Sequence, residues 1–145
     1  MSIKWGVLGT AGIAAGCTIP GMKQAEGCEL YAIAGRNENK VLKFQEKYGF
    51  EKAYVGYEAL LQDSEVQAVY IPLPNHMHYE WVIKALKAGK NVLCEKPLAL
   101  NACEAEEMYR TAKENNVILA EAYAYLHSPY IKSLKEDIAS GLIGE

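Results

Sequence analysis

The sequence lacks long apolar runs and the residue spacings that mark metal sites. No stretch of its 145 residues reaches the roughly 20 apolar residues that a membrane-spanning helix needs. A signal peptide is not expected, since Lys4 and Gly6 interrupt the first residues and no long apolar segment follows. The four cysteines, at positions 17, 28, 94 and 103, form no CxxC pair and have no histidine at ligand spacing. We therefore expect no metal, no membrane span and free thiols in a reducing cytoplasm.

An excess of basic residues is also missing. The chain has 15 Lys and Arg against 18 Asp and Glu, which gives a net charge of −3. Proteins that neutralise nucleic-acid phosphates are usually basic, so a nucleic-acid partner is not expected. Hydrophobic residues make up 50% of the chain and charged residues 23%, a balance typical of a globular protein. With 145 residues the chain is long enough for one compact domain with its own core.

Apolar segments alternate with segments of helical pattern along the whole chain. The apolar runs predict six strands, the first ending at Leu8 and the others over residues 29–34, 53–55, 66–72, 91–95 and 117–124. Helices are predicted from about residue 13, with Pro20-Gly21 stopping or restarting the helix, and over residues 38–48, 57–61, 76–88, 102–115 and 129–140. The connections are long enough for right-handed helical crossovers. This pattern predicts an α/β fold, a Rossmann-type doubly wound parallel sheet in three α/β/α layers.

The first predicted strand is followed by a turn that contains two glycines. The turn reads Gly9-Thr10-Ala11-Gly12-Ile13 and is followed by Ala14. The first glycine allows a tight turn, and small residues let a pyrophosphate approach the main chain at the positive end of the next helix. Compared with G-x-G-x-x-G/A, Ala11 stands where the second glycine is usual. A purely structural turn between strand and helix explains the same residues, so the motif alone leaves both interpretations open.

Two cations follow the second predicted strand. Arg36 comes directly after it, and Lys40 lies four residues later, on the same face of the next helix. Folds of this type that select NAD commonly place Asp or Glu here, whereas an arginine accommodates the 2′-phosphate of NADP. Two cations match a phosphate dianion, so NADP is the preferred cofactor. NAD stays open because Glu38 lies nearby, and the alternative is that both cations are ordinary surface residues.

A lysine follows the fifth predicted strand at the same edge of the sheet. Lys96 lies between Glu95 and Pro97. Its ammonium can hydrogen-bond a substrate hydroxyl or carbonyl, or alternatively form a salt bridge with Glu95 or Glu121. Pro97 fixes the local main chain and is a candidate for a preceding cis peptide bond.

The three histidines do not suggest a metal site. His76 and His78 are two residues apart at the start of a predicted helix, so they point to different faces. His78 either contacts the cofactor pocket or lies in solvent. His127 either lies near the pocket or packs under the last helix.

Several segments of the sequence together resemble one family. They are WGVLGTAGIA (5–14), PLPNHMH (72–78), AGKNVLCEKPLALNACEA (88–105), EAYAY (121–125) and SGLIGE (140–145). With them the chain resembles the N-terminal domain of the glucose–fructose oxidoreductase, inositol dehydrogenase and rhizopine-catabolism (Gfo/Idh/MocA) family. The resemblance implies a NAD(P)-dependent oxidoreductase that transfers a hydride to or from a carbon of a sugar, polyol or cyclic diol.

The resemblance also implies a role for each candidate residue. Residues 9–13 would hold the pyrophosphate, Arg36 and Lys40 the adenosine 2′-phosphate, and Glu95 the nicotinamide ribose. Lys96 would be the catalytic residue and would bind the cofactor and the substrate oxygen as that oxygen gains or loses a proton. The loop after the fourth strand would contact the nicotinamide half through Leu73, Pro74, Asn75 and His78. The family's EAFMYRFHP-like segment reads EAYAYLHSP here, so His127 comes one place early and its role is open.

The resemblance predicts two parts of the chain. Residues 1–124 would form the NAD(P)-binding domain, and residues 125–145 the last helix and the start of a connection to a C-terminal α+β domain outside this sequence. That domain would supply the remaining catalytic Tyr or His, much of the pocket for a small carbohydrate or polyol, and the interface of a homo-oligomer. We therefore expect the 145 residues alone to bind nucleotide with little or no turnover. The alternative is a sensor or regulatory module that binds NAD(P) without catalysis.

Overall fold

Six parallel strands form one sheet in the computed structural model, which describes residues 2–142 and 144. The strand order is β3-β2-β1-β4-β5-β6, the doubly wound order in which the connection changes direction between β1 and β4. Ile143 and Glu145, two residues of the SGLIGE segment, lie outside the described residues. The predicted fold class is confirmed. The strands are β1 (Ile3–Leu8), β2 (Cys28–Gly35), β3 (Lys52–Val55), β4 (Ala68–Ile71), β5 (Asn91–Cys94) and β6 (Leu119–Glu121).

Six α-helices connect or follow the strands, and short turns of other helix types precede three of them. A π-helical turn spans Ala14–Thr18, and 3-10 turns span Asn75–Met77 and Ala124–His127. In the described residues, no helix is both long and apolar enough to cross a membrane. The helices are α1 (Ile19–Gln24), α2 (Glu38–Tyr48), α3 (Tyr57–Gln62), α4 (His78–Lys87), α5 (Ala102–Glu114) and α6 (Pro129–Ala139).

The sheet is covered on both faces, which makes three layers. One core cluster contains side chains of α3, α4 and α5, such as Leu60, Val82 and Met108, packed on the sheet. The other contains side chains of α1 and α2, such as Ile19 and Val41. Because strand side chains alternate between faces, all four residues of β4 are buried, as expected for a central parallel strand.

The predicted restart near Pro20 is confirmed, because α1 begins at Ile19 with Pro20 in its first turn, whereas the predicted stop does not occur, because the helical main chain is continuous. Helical main chain runs from Gly12 to Gln24. Within it, the N–H of Ile19 donates to the carbonyl of Ala14, the wider spacing of a π-helical turn. Proline has no N–H to donate and its ring crowds the preceding turn. The π-helical turn directly before Pro20 is the local rearrangement that accompanies the proline without ending the helix.

Local signals fix the ends of α2 and α5. The Asn37 side chain accepts a hydrogen bond from the N–H of Lys40, and the Asn101 side chain from that of Glu104. Gly49 ends α2 with φ of +78°, a conformation that suits glycine. β6 is shorter than predicted: it covers Leu119–Glu121, and its apolar continuation folds into a 3-10 turn.

Lys90 has an unexpected structural role at the opposite edge of the sheet from the strand carboxyl ends. Its residue exposure is 6%, and its Nζ donates 2.7 Å hydrogen bonds to the carbonyls of Asp63 and Val66. Burial lowers the pKa of this lysine. The ammonium therefore satisfies two main-chain acceptors where the chain enters β4.

Candidate functional site

A groove lies at the carboxyl edge of the sheet, where the strand order changes direction. Loops that follow β1, β2 and β4 form its walls around a cavity of about 290 Å³. In doubly wound sheets this is the position at which dinucleotides bind. We call it the switch-point groove, and it is lined by Gly9, Thr10, Ala11, Gly35, Arg36, Asn37, Lys40, Tyr57, Pro72, Leu73 and Pro74.

The two glycines of the turn after β1 serve different purposes. Gly9 has φ of +120°, and a Cβ atom there would lie 3.0 Å from Leu73 Cδ2, so a side chain would strain the turn. A Cβ on Gly12 would have no protein atom within 4 Å, so this glycine faces open space. The N–H groups of the first helical turn, which begins here, have no partners within the helix. Open space beside free N–H groups is the arrangement that accommodates a phosphate.

The two candidate cations line the same groove. A Cβ on Gly35 would lie 2.7 Å from Val41 Cγ2, so glycine permits the start of α2 to pack closely on the end of β2. This packing brings Arg36 and Lys40 to the groove wall, where both are exposed. Within residues 2–142 neither cation forms an ion pair, and Glu38 is not among the residues of the groove. Two unneutralised cations are thus available to an anion.

His78 lies inside the protein, so the alternative that placed it in solvent is wrong. The residue is fully buried at the start of α4. Its Nδ1 lies 2.8 Å from the carbonyl oxygen of Pro97, and its Nε2 lies 2.7 Å from that of Leu73. Both ring nitrogens are therefore engaged with the main chain. The ring connects the loop after β4 to the loop after β5, and its predicted contact with a cofactor stays a prediction.

Lys96 is not among the residues that line the switch-point groove. The residue is exposed, and its peptide bond to Pro97 is cis. The two carboxylates that were its alternative partners make other contacts: Glu95 Oε1 accepts from the hydroxyl of Tyr70 at 2.6 Å, and Glu121 Oε1 accepts from the N–H of Leu98 at 2.8 Å. In the part of the chain that the structure describes, the alternative salt bridge of Lys96 is not formed. Its ammonium is therefore free to meet a ligand.

Two residues that the sequence did not indicate connect to Glu95. Thr18 Oγ1 donates to Tyr70 Oη at 2.9 Å, and Tyr70 in turn donates to Glu95. Burial, and then the neighbouring carboxylate, raises the pKa of the Tyr70 phenol. The phenol therefore stays a neutral donor. The sequence indicated this contact only through the presence of a tyrosine in an otherwise aliphatic strand.

A second, more apolar groove runs along the face of β5 and β6 beside α1. It encloses about 610 Å³ and includes Trp5, Met22 and Leu93 in its walls. Glu95 and the exposed His127 are also among its lining residues. His127 does not line the switch-point groove, and its exposure disagrees with packing under the last helix, so its role stays open.

Comparison with known proteins places the chain in a family. Residues 3–123 match the family described as an oxidoreductase family with an NAD-binding Rossmann fold, Gfo/Idh/MocA. A crystal structure of a 3-ketoreductase from Actinomadura kijaniata, in complex with NADP and TDP-benzene, superposes with a TM-score of 0.95 at 38% identity. It is matched over 100% of this chain and 44% of its own.

Two curated relatives are similar in sequence over nearly the whole chain. D-xylose 1-dehydrogenase (NADP+) 2 of Haloferax volcanii is 41% identical over 140 residues, which is 97% of this chain and 43% of the relative. Trans-1,2-dihydrobenzene-1,2-diol dehydrogenase of Mus musculus is 35% identical over 147 residues, which is 100% of this chain and 44% of the relative. The chain thus spans less than half the length of the curated relatives it matches. By sequence and by fold, it belongs to the Gfo/Idh/MocA oxidoreductase family and corresponds to its NAD-binding Rossmann domain.

Proposed function

We propose that this chain is the NADP-binding half of an oxidoreductase that transfers a hydride to or from a CH–OH carbon of a sugar, polyol or cyclic diol. The observation that carries the proposal is the switch-point groove, which combines an open glycine turn with two cations that form no ion pair within residues 2–142. The relatives support the substrate class, since they include a xylose dehydrogenase, a ketoreductase and a diol dehydrogenase.

The residues of the groove fit a dinucleotide. Gly9, Thr10, Ala11, Gly12 and Ile13 would hold the pyrophosphate through main-chain N–H groups. The methyl group of Ala11 lies on the groove wall and leaves the cavity open. The nicotinamide half would then lie toward the loop formed by Leu73, Pro74, Asn75 and His78 and toward Glu95.

We propose NADP rather than NAD as the natural cofactor. Arg36 and Lys40 line the groove at the position that we propose for the adenosine half, and no acidic residue is among the lining residues. A 2′-phosphate brings a dianion to this position, which these two cations would neutralise. The ketoreductase structure and the xylose dehydrogenase support this choice, since both are named with NADP.

Lys96 would carry the proton that accompanies hydride transfer. When bound, the nicotinamide ring supplies or accepts the hydride. The Lys96 ammonium, exposed and without an ion-pair partner among residues 2–142, would donate a hydrogen bond to the reacting substrate oxygen. Its Nζ would then give a proton to that oxygen during reduction and become a neutral amine, and in the reverse direction the neutral amine would accept the proton of the substrate hydroxyl.

The proposed division of the chain places residues 1–124 in the cofactor domain and residues 125–145 in the last helix and a connection. None of the described residues of α6 is buried, and Tyr130 and Ile138 are exposed on it. Such an unburied helix is consistent with a connection to a C-terminal α+β domain. We propose that such a domain completes the substrate pocket and forms a homo-oligomer.

Lys96→Ala in the longer enzyme tests the catalytic proposal. The loss of a group that moves a proton should reduce kcat by about 100-fold to 10,000-fold. The affinity for NADPH should stay within about twofold, because removing a hydrogen bond to the substrate oxygen leaves the pyrophosphate and 2′-phosphate contacts intact. Stopped-flow turnover and calorimetric titration measure the two quantities. Unchanged turnover would remove Lys96 from the mechanism and favour a non-catalytic nucleotide sensor.

A further inference from the structure

A chain of three polar side chains runs from the π-helical turn before α1 to Glu95, which lines the second groove. Thr18 Oγ1 donates to Tyr70 Oη at 2.9 Å, and Tyr70 Oη donates to Glu95 Oε1 at 2.6 Å. Thr18 closes the π-helical turn, Tyr70 lies in the central strand β4, and Glu95 follows β5 directly. Both hydrogen bonds run in the same direction, from Thr18 through Tyr70 to Glu95, so each bond strengthens the other.

The position of Tyr70 is not explained by packing alone. It is fully buried between β1 and β5, pairing with Val7 and Leu93, in a strand whose other members are aliphatic. A phenylalanine would fill the same space, whereas a buried hydroxyl carries a desolvation cost unless it is bonded. The hydroxyl meets that cost by donating to a carboxylate, the stronger kind of hydrogen bond.

Two neighbouring charges do not pair with each other in the described residues. Glu95 and Lys96 are adjacent in sequence, yet the Glu95 carboxylate is directed to Tyr70, and its Oε2 lies 3.4 Å from the main-chain N of Lys96. A carboxylate released from Tyr70 would be free to pair with the Lys96 ammonium. That pairing would neutralise the cation and turn the carboxylate away from the site.

We propose that Tyr70, supported by Thr18, is a positioning residue that fixes the Glu95 carboxylate for the nicotinamide-side ribose. The inference rests on the proposed function, because Glu95 meets a nucleotide only if the switch-point groove binds one. The π-helical turn contributes by bringing Thr18 over Tyr70. The phenol and the hydroxyl touch neither the adenosine half of the groove nor its cations, since neither residue lines it.

The test compares two ligands that share the adenosine half. In the proposed placement NADP would extend from the switch-point groove to Glu95, whereas 2′,5′-ADP, which lacks the nicotinamide half, would not reach Glu95. In Tyr70→Phe we expect NADP binding to weaken by about fivefold to tenfold, from the loss of a hydrogen bond to a charged group. Binding of 2′,5′-ADP should change by less than about twofold. Both affinities are measured by calorimetry on the 145-residue chain.

Two further variants separate positioning from a general effect on the fold. Tyr48→Phe is the matched control, because it also removes a buried phenol that bonds the first helix, at the Ala15 carbonyl, away from Glu95. It should leave the affinities for both ligands within about twofold of the parent. In a Glu95→Gln background, Tyr70→Phe should lose most of its effect on NADP, since the interaction it removes acts through that carboxylate.

Each outcome decides the question. Equal weakening of NADP and 2′,5′-ADP by Tyr70→Phe, or no weakening of either, would overturn the positioning role. So would an undiminished effect in the Glu95→Gln background. If Tyr70→Phe does not fold, Thr18→Val replaces it, with the same pattern expected at about threefold. A parent chain that binds neither ligand would instead refute the proposed function, and a loss confined to the variants would not.

Discussion

Removing the positive charges of Arg36 and Lys40 should change the cofactor preference of this chain. Both side chains line the switch-point groove and are exposed, and neither forms an ion pair within residues 2–142. They therefore carry no stabilising interaction that the substitutions Arg36→Ala and Lys40→Ala would break. The expected effect falls on the 2′-phosphate, which NADPH has and NADH lacks.

The exposure of the two cations sets the magnitude. A pair of unit charges about 4 Å apart is worth about 1 kcal/mol in bulk water and about 4 kcal/mol near a protein surface. For exposed groups we take about 1.4 kcal/mol per cation, which is about tenfold in affinity. Each single variant should then bind NADPH about tenfold more weakly, and the double variant about 100-fold, if the two act independently.

Energy transfer from tryptophan to bound NADPH or NADH is a suitable assay, since the chain has two tryptophans. NADH affinity should stay within about twofold in every variant, so the NADPH preference disappears. Higher ionic strength should weaken NADPH binding by the parent more than by the double variant, because exposed charges are screened. Lys23→Ala is the control, since it removes the same charge from an exposed residue of α1 outside the groove.

Three results would refute this reasoning. The first is a parent that binds NADH as tightly as NADPH. The second is a double variant that loses affinity for both cofactors equally, which would place the cations near the shared pyrophosphate. The third is an equal loss of NADPH affinity in Lys23→Ala, which would show that the effect comes from the net charge of the protein.

Two further predictions concern Gly12, in the turn after β1, and the carboxylate of Asp63, the residue after α3. Gly12→Val should leave the melting temperature nearly unchanged, because a Cβ there meets no protein atom within 4 Å. It should weaken NADPH binding at least about tenfold, because the side chain would fill the proposed phosphate position. Unchanged NADPH binding would show that the phosphate lies elsewhere. Burial alone would raise the Asp63 pKa, but hydrogen bonds from Tyr54, the Glu65 N–H and Lys52 lower it from 3.8 to about 2. The ionised Asp63 therefore stabilises the fold above pH 3.8, and this contribution is lost as the pH falls toward 2. Asp63→Asn should lower the free energy of unfolding by about 1–2 kcal/mol at pH 7 and should reduce its decrease between pH 3.8 and pH 2, measured by urea unfolding. The same decrease in the variant and the parent would contradict this prediction.

The elements that depend on local signals were predicted well. α2 was predicted over residues 38–48 and spans Glu38–Tyr48, because a capping asparagine and a glycine with positive φ fix its two ends. The ends of β6 were not, since a strand ends where its neighbour stops offering hydrogen bonds. The last bond to β5 runs from the N–H of Ala122 to the carbonyl of Cys94, whereas the apolar residues continue beyond it.

The polar contacts of the site divide in the same way. Residues that follow strand ends, such as Arg36 and Lys96, were predicted to lie at one edge because parallel strands bring their carboxyl ends together. Arg36 lines the switch-point groove, and the role of Lys96 stays a prediction. The hydrogen bonds among Thr18, Tyr70 and Glu95 join residues 52 and 25 positions apart and depend on which strands are neighbours. The strand order and the π-helical turn determine these hydrogen bonds, and neither can be predicted from the local sequence pattern.

The buried ring of His78 sets the spacing between two parts of the site that are far apart in sequence. It spans the carbonyls of Leu73, on the wall of the switch-point groove, and of Pro97, the residue after Lys96. Because a planar imidazole has a fixed width, its two contacts set the distance between the surface that would hold the dinucleotide and the segment whose ammonium would meet the substrate. A shift of the groove wall would therefore be passed on to the segment that bears Lys96, so a bound cofactor and the proposed proton donor would keep a constant spacing.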